Sequence, residues 1–113
     1  MNFEQQTKEK YILVSANVEK LDASNAPELK ALFLFLNKSS VNNIVLDLSK
    51  SKYCDSSGLS SILIGNRLCK DSGGTFVLGG LQPNVQKLIQ ISQLHIVLNI
   101  VVQFDEADAL FGK

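Results

Sequence analysis

Apolar positions along the chain form short blocks of two kinds, and the alternation between them predicts the order of elements. Residues 3–7 and 11–18 read as two strands, the second carrying Tyr11-Ile12-Leu13-Val14, with Lys8-Glu9-Lys10 turning between them in an antiparallel hairpin. Leu29, Leu32, Phe33 and Leu36 then recur at helical spacing. Pro27 suits the first turn of that helix, Glu28 is favourable near its N-terminus, and Asn25 or Ala26 stands at the cap; the helix runs to about Asn37. Ile44-Val45-Leu46-Asp47-Leu48 is a nearly continuous apolar run of the kind found in strands covered on both faces, and it predicts the central strand.

A second helix is predicted from near Ser56 to Gly73-Gly74, which supply a left-handed C-cap. Thr75-Phe76-Val77-Leu78 follows as a buried strand broken by Gly79-Gly80. Pro83 opens a third helix through about Ser92, residues 97–102 give the last strand, and Asp105 can cap a short terminal helix. Two strands followed by helix and strand in alternation imply parallel pairings beside one hairpin. The prediction is a single α/β domain over residues 1–113, with a mixed central sheet of four to five strands and about four helices.

Composition supports a globular chain: hydrophobic residues are 45 % against 19 % charged, far from the balance that leaves a chain disordered. Charge is neutral both overall and locally, with six of each sign in residues 1–50 and five of each thereafter. Arg67 is the only arginine, so the basic patch of a nucleic-acid or anionic-membrane binder is missing. Two cysteines, Cys54 and Cys69, are too few for a zinc site or a stapled secreted scaffold, which points to a reduced, cytosolic setting without metal or cofactor. The N-terminus has no cationic segment leading into an apolar one, and no apolar run reaches membrane-span length; a cytoplasmic protein is expected.

Chemistry concentrates in residues 47–59, where the central strand leads through a loop into Asp55-Ser56-Ser57-Gly58-Leu59 at the start of the second helix. A helix N-terminus presents unpaired amides and about half a positive charge, which stabilises a phosphate. The plainer alternative is that Asp55, Ser56 and Ser57 cap the helix. Advancing about 100° per residue along the helix puts Leu59, Ile62, Leu63 and Cys69 on one face. Ser57, Ser61, Ile64 and Leu68 gather opposite them. The first stripe packs on the sheet; the second has no evident partner inside so small a domain and predicts a docking surface beside Ser57, unless another helix covers it. On that expectation Leu68→Lys weakens binding without lowering the melting temperature. Leu34 and Phe35 fall off the buried face of the first helix and can mark a partner or self-association surface.

Enzyme readings find little support. His95, the single histidine, sits between Leu94 and Ile96 as a strand-end or core residue would. Asp71-Ser72-Gly73 has the residues of an aspartic-protease loop but ends a helix and follows no apolar strand, so structural capping is preferred. Gly73-Gly74 and Gly79-Gly80 lack both a P-loop lysine and the Gly-x-Gly-x-x-Gly spacing. Cys54 reads as a small buried residue.

Taken together, the strand Ile44 to Leu48, Asp55-Ser56-Ser57-Gly58-Leu59, Gly73-Gly74 before Phe76-Val77-Leu78, and Pro83 ahead of Val85, Leu88 and Ile89 resemble a STAS domain of the bacterial anti-sigma factor antagonist type. Leu21-Asp22-Ala23-Ser24-Asn25-Ala26-Pro27-Glu28-Leu29 is similar to the family's loop and first-helix start. The resemblance covers nearly the whole chain and implies a non-enzymatic binding module switched by phosphorylation. It places the phosphate on Ser57, with Ser56 as the alternative acceptor, added by a serine kinase that doubles as the anti-sigma factor and removed by a phosphatase. The unphosphorylated form binds the kinase and frees the sigma factor; the phosphorylated form lets go. Asp55 then shapes the loop and Asp22 contributes to a partner surface that also includes Ser56, Ser57, Gly58, Ser61, Ile64 and Leu68. One departure is Val18-Glu19-Lys20-Leu21-Asp22, where the family often has a glycine before the Leu-Asp step. The competing reading is a non-switching STAS subunit of a transporter or signalling scaffold.

Overall fold

The computed structural model describes residues 1–102 and 105–111, with residues 105 and 108 as backbone only. In chain order its elements are β1 (Phe3–Thr7), β2 (Ile12–Ala16), β3 (Lys20–Leu21), α1 (Ala26–Lys38), β4 (Asn43–Asp47), β5 (Tyr53–Cys54) and α2 (Ser56–Asp71). They continue with β6 (Thr75–Gly79), α3 (Pro83–Ile91), a 3₁₀ turn (Leu94–Ile96), β7 (Asn99–Val101) and α4 (Asp105–Leu110). Five strands form the main sheet in the order β1-β2-β4-β6-β7, antiparallel at the β1–β2 hairpin and parallel elsewhere, with β4 in the centre as expected. The α/β fold class and the mixed sheet therefore stand.

Side chains alternate across each strand, and the two faces carry different loads. Val14, Ile44, Leu46, Phe76 and Leu78 join the main core with Leu29 and Phe33 of α1, Ile62 and Cys69 of α2, and Val85 and Ile89 of α3. Val45, Val77 and Val101 face the other way, into a smaller cluster closed by Ala107 of α4. Tyr11 and Phe111 stack at its margin, ring centroids 5.0 Å apart. Strand order never reverses across the main sheet. Among the described residues it lacks the switch-point crevice where doubly wound α/β enzymes bind ligands; the polar side chains gather instead in the loops and helix starts at one corner.

The two large helices meet over a glycine. A β-carbon on Gly65 of α2 would lie 2.7 Å from the Phe33 ring and 2.8 Å from the Phe76 ring. Those two rings make an edge-to-face pair, centroids 5.6 Å apart, directly against the bare backbone. Further along, the Asn37 amide donates to the Leu68 carbonyl (3.3 Å) and to Ser72 Oγ (2.8 Å), fastening the last turns of the two helices together.

This close approach corrects the docking stripe. Leu68 is half-buried and packs against the main core, because α1 lies along that flank of α2. A lysine there would disturb packing, so Leu68→Lys is not the surface probe that the helical wheel implies. Ile64 remains half-buried and faces outward between the helices. Leu34 and Phe35 are 39 % and 60 % exposed, as their position off the buried face predicts.

Local differences have local causes. β2 is confined to Ile12–Ala16, although the Asn17 amide still donates to the Asn2 carbonyl (2.7 Å) one step beyond the β1–β2 register. The last strand is confined to Asn99–Val101, since residues 94–96 wind into the 3₁₀ turn, entered through Gln93 at φ 61°. His95 lies in that turn and is exposed, not a strand-end or core residue. α2 ends where Gly73 takes the left-handed φ of 78°, as its sequence foretells. α4 begins at Asp105, whose side chain lies outside the described residues.

Candidate functional site

The corner identified in the sequence is held by a feature the sequence concealed. β3 and β5 pair in parallel, apart from the main sheet, with Lys20 opposite Tyr53 and Leu21 opposite Cys54. The Glu19 carbonyl accepts from the amides of Lys52 (2.8 Å) and Tyr53 (3.2 Å), and the Leu21 carbonyl accepts from the Asp55 amide (3.2 Å). Ser51 is fully buried, its hydroxyl donating to the Val18 carbonyl at 2.7 Å. The two loops that carry the candidate acidic residues are thus joined into one short ribbon.

Asp22 starts one side. Its Oδ1 accepts from the Ser24 amide (3.0 Å) and the Ser24 hydroxyl (2.6 Å), and these bonds, the hydroxyl's first, hold its carboxyl below the usual range. Asn25 corrects the expected cap. It occupies the cap position of α1 without a side-chain cap bond. Instead its Oδ1 accepts from the Asp22 amide (3.1 Å) and its amide group donates to the Lys20 carbonyl (2.8 Å), so it fastens the loop to β3.

Asp55 starts the other side and is the cap of α2. Its backbone is extended and its Oδ1 accepts from the Gly58 amide at 2.9 Å. Ser56 and Ser57 form the first turn of the helix; Ser56 is exposed and Ser57 half-exposed. Gly58 has to be glycine: a β-carbon there would come within 2.5 Å of the Leu21 carbonyl oxygen and 2.6 Å of Cys54 Sγ. The first turn of α2 therefore rests directly on the ribbon.

Predicted site residues divide between two adjoining surfaces. Asp22, Cys54 and Asp55 share one with Lys20 and Tyr53 on the ribbon. Ser56, Ser57, Ser61 and Ile64 line the other, a shallow depression of about 440 Å³ between the first turns of α1 and α2. Ser61 is its floor, buried, with its hydroxyl donating to the Gly58 carbonyl at 2.8 Å. Gly58 is buried beneath the ribbon, and Leu68 lines neither surface. Lys30, Pro27 and Ala23 complete the depression from the α1 side; the sequence points to Pro27 and Ala23 only as parts of the helix start and its loop, and does not single out Lys30. Only the i to i+3 spacing of Pro27 and Lys30 on a predicted helix hints at a shared face, and nothing local says which helix that face meets.

The surroundings of both thiols disfavour the reactive thiolate. Burial, aided by the Asp55 charge, pushes Cys54 up to about 12; burial pushes Cys69 to about 11, opposed by a backbone hydrogen bond from Ile44. At pH 8 iodoacetamide is expected to label native Cys54 on the order of 10³-fold more slowly than the same cysteine in the unfolded chain. A folded-state value raised above the unfolded one also means stability that declines as pH rises from about 9. Equal native and unfolded labelling rates at pH 8 would refute this.

What fold and corner define is a small α/β domain: a mixed sheet backing two helices, with the hydroxyls of Ser56 and Ser57 at the first turn of α2 facing the start of α1. The chain belongs to the STAS domain family, whose model matches residues 3–107. Among solved structures it is similar to a candidate anti-sigma factor antagonist of Thermotoga maritima, at 24 % identity and a TM-score of 0.87, over 98 % of this chain and 95 % of that one. An anti-sigma factor antagonist of Mycobacterium paratuberculosis matches at 19 % identity and a TM-score of 0.86, over 98 % and 93 %. The unphosphorylated form of the antagonist SpoIIAA matches at 19 % and 0.81, over 98 % and 97 %. The phosphorylated form of Bacillus SpoIIAA matches at 18 % and 0.73, over 96 % and 98 %. At these identities the likeness is one of fold. No helix among the described residues is long and apolar enough to cross a membrane.

Proposed function

We propose that this chain is an anti-sigma factor antagonist, a cytoplasmic, non-enzymatic module that binds a serine kinase acting as anti-sigma factor and is switched off by phosphorylation of Ser57. The observation that carries the proposal is the placement of Ser57: half-exposed, in the first turn of α2, on the rim of a depression between two helix starts. SpoIIAA, which shares the fold, exists in unphosphorylated and phosphorylated forms. In the kinase complex Ser57 Oγ would bond to the γ-phosphorus of ATP and pass its proton to a base of the kinase, while the bond from that phosphorus to the bridging oxygen breaks and ADP leaves.

The physics of release follows from the surroundings of Ser57. Phosphorylation adds about −1.5 to −2 charges at a surface that also offers Ile64 and Pro27 for apolar contact. A partner packed there would have to desolvate the new charge, and the complex would open without a change of fold. Asp55 keeps the acceptor turn in place through its bond to the Gly58 amide, and Asp22 belongs to the adjoining partner surface on the ribbon. A phosphatase resets the switch.

The test begins with the chain as bait in an extract of its native host, followed by ATP and peptide mass spectrometry on the recovered complex. Phosphate on Ser57 with dissolution of the complex is expected, and Ser57→Ala should abolish both. Transfer to Ser56 would relocate the acceptor. A stable complex without phosphate transfer would favour the non-switching subunit of a larger assembly.

A further inference from the structure

We infer that Lys30 is the internal counter-ion of a phosphate on Ser57, drawn to it on modification; this rests on the phosphorylation reading above. The depression beside Ser57 is lined by small and hydroxyl-bearing residues and by one charged side chain, Lys30. The nearby carboxylates lie outside it, with Asp55 turned to the Gly58 amide and Asp22 to Ser24. A new anion there meets a cation with no carboxylate competing inside the depression.

Lys30 is available. It is exposed and makes no hydrogen bond or ion pair among the described residues, so pairing with a phosphate breaks no existing bond. It stands one turn into α1 on the same side as Pro27, facing Ser57, Ser60 and Ile64 of α2. Helical side chains lean toward their own N-terminus, which carries the ammonium back toward the level of the α2 first turn. A compact ammonium on a flexible four-carbon stem suits a partner that arrives only after modification. Phosphorylation then changes the docking surface twice over: a dianion is added and a free cation is withdrawn.

The test needs no kinase. The full chain is made with phosphoserine genetically encoded at position 57, and the second phosphate pKa is measured by ³¹P NMR. A neighbouring cation favours the dianion, so the value in the wild-type background should lie about 0.5 below that in Lys30→Gln. Lys30→Arg should restore the lower value, and the difference should shrink at 1 M salt, where screening reaches about 3 Å. Unphosphorylated Lys30→Gln should melt with wild type, which separates a charge effect from a folding defect. Equal phosphate pKa values in wild type and Lys30→Gln would overturn the inference and leave the kinase reading untouched. A lysine-dependent value, with no transfer to Ser57 in the partner experiment, would overturn the kinase reading alone.

Discussion

Gly58→Ala is expected to destabilise the chain by about 2–3 kcal/mol, lowering its melting temperature by on the order of 10 °C. The added methyl would stand 2.5 Å from the Leu21 carbonyl oxygen and 2.6 Å from Cys54 Sγ. The sulfur can rotate; the carbonyl cannot, because it belongs to β3 and accepts the Asp55 amide. Relief requires lifting the first turn of α2 off the ribbon, and Ser57 moves with it. Gly73→Ala is the matched control: its φ of 78° makes a side chain strained, but nothing lies within 4 Å of the added carbon, and a cost near 1 kcal/mol is expected. Thermal melting distinguishes the two. A Gly58→Ala chain that melts within 2 °C or so of wild type would show that the ribbon has slack and that its contact with α2 is not what places the serine.

The second large effect concerns binding. Against the kinase partner recovered with the chain, Ser57→Asp should weaken affinity by about 100-fold, equivalent to about 2.7 kcal/mol. Ser57→Ala should bind within a few-fold of wild type. The aspartate brings a full negative charge into a contact that has to shed water, while alanine removes one half-exposed hydroxyl. Because aspartate carries less charge than phosphate, encoded phosphoserine at 57 should weaken binding further still. Isothermal titration calorimetry supplies the numbers. Equal affinities for the aspartate and alanine variants would end the switching account and leave a constitutive docking subunit in its place.

Elements dictated locally were legible in the sequence. Pro27 and Pro83 open helices, Gly73 closes one, and the apolar run from Ile44 lies at the centre of the sheet. The corner at Asp55 to Gly58 was legible for the same reason, since cap residues act on their own neighbours. What escaped depended on distant pairing. The β3–β5 ribbon joins two residues to two others 33 positions away, too short to leave a periodic signal. Asn25 is an ordinary cap residue by type, yet its side chain serves β3 and the loop instead. Leu68 looked free because a helical wheel records faces without recording neighbours, and α1 lies against that face. Lys30 went unnoticed on the same ground: a surface lysine acquires meaning only once α1 and α2 are side by side.

Gly65 has a bearing on the corner that its position alone would not suggest. It lies seven residues beyond Gly58 on a helix that rises about 1.5 Å per residue, roughly 10 Å from the first turn. At that point two aromatic rings press on bare backbone and fix how near the two helix axes come. The separation of the helices is therefore set where a single hydrogen atom stands in for a side chain, and the gap at their starts inherits that spacing. One methyl at Gly65 would push the helices apart and change the aperture offered to any inserted side chain, leaving every group on its rim chemically the same.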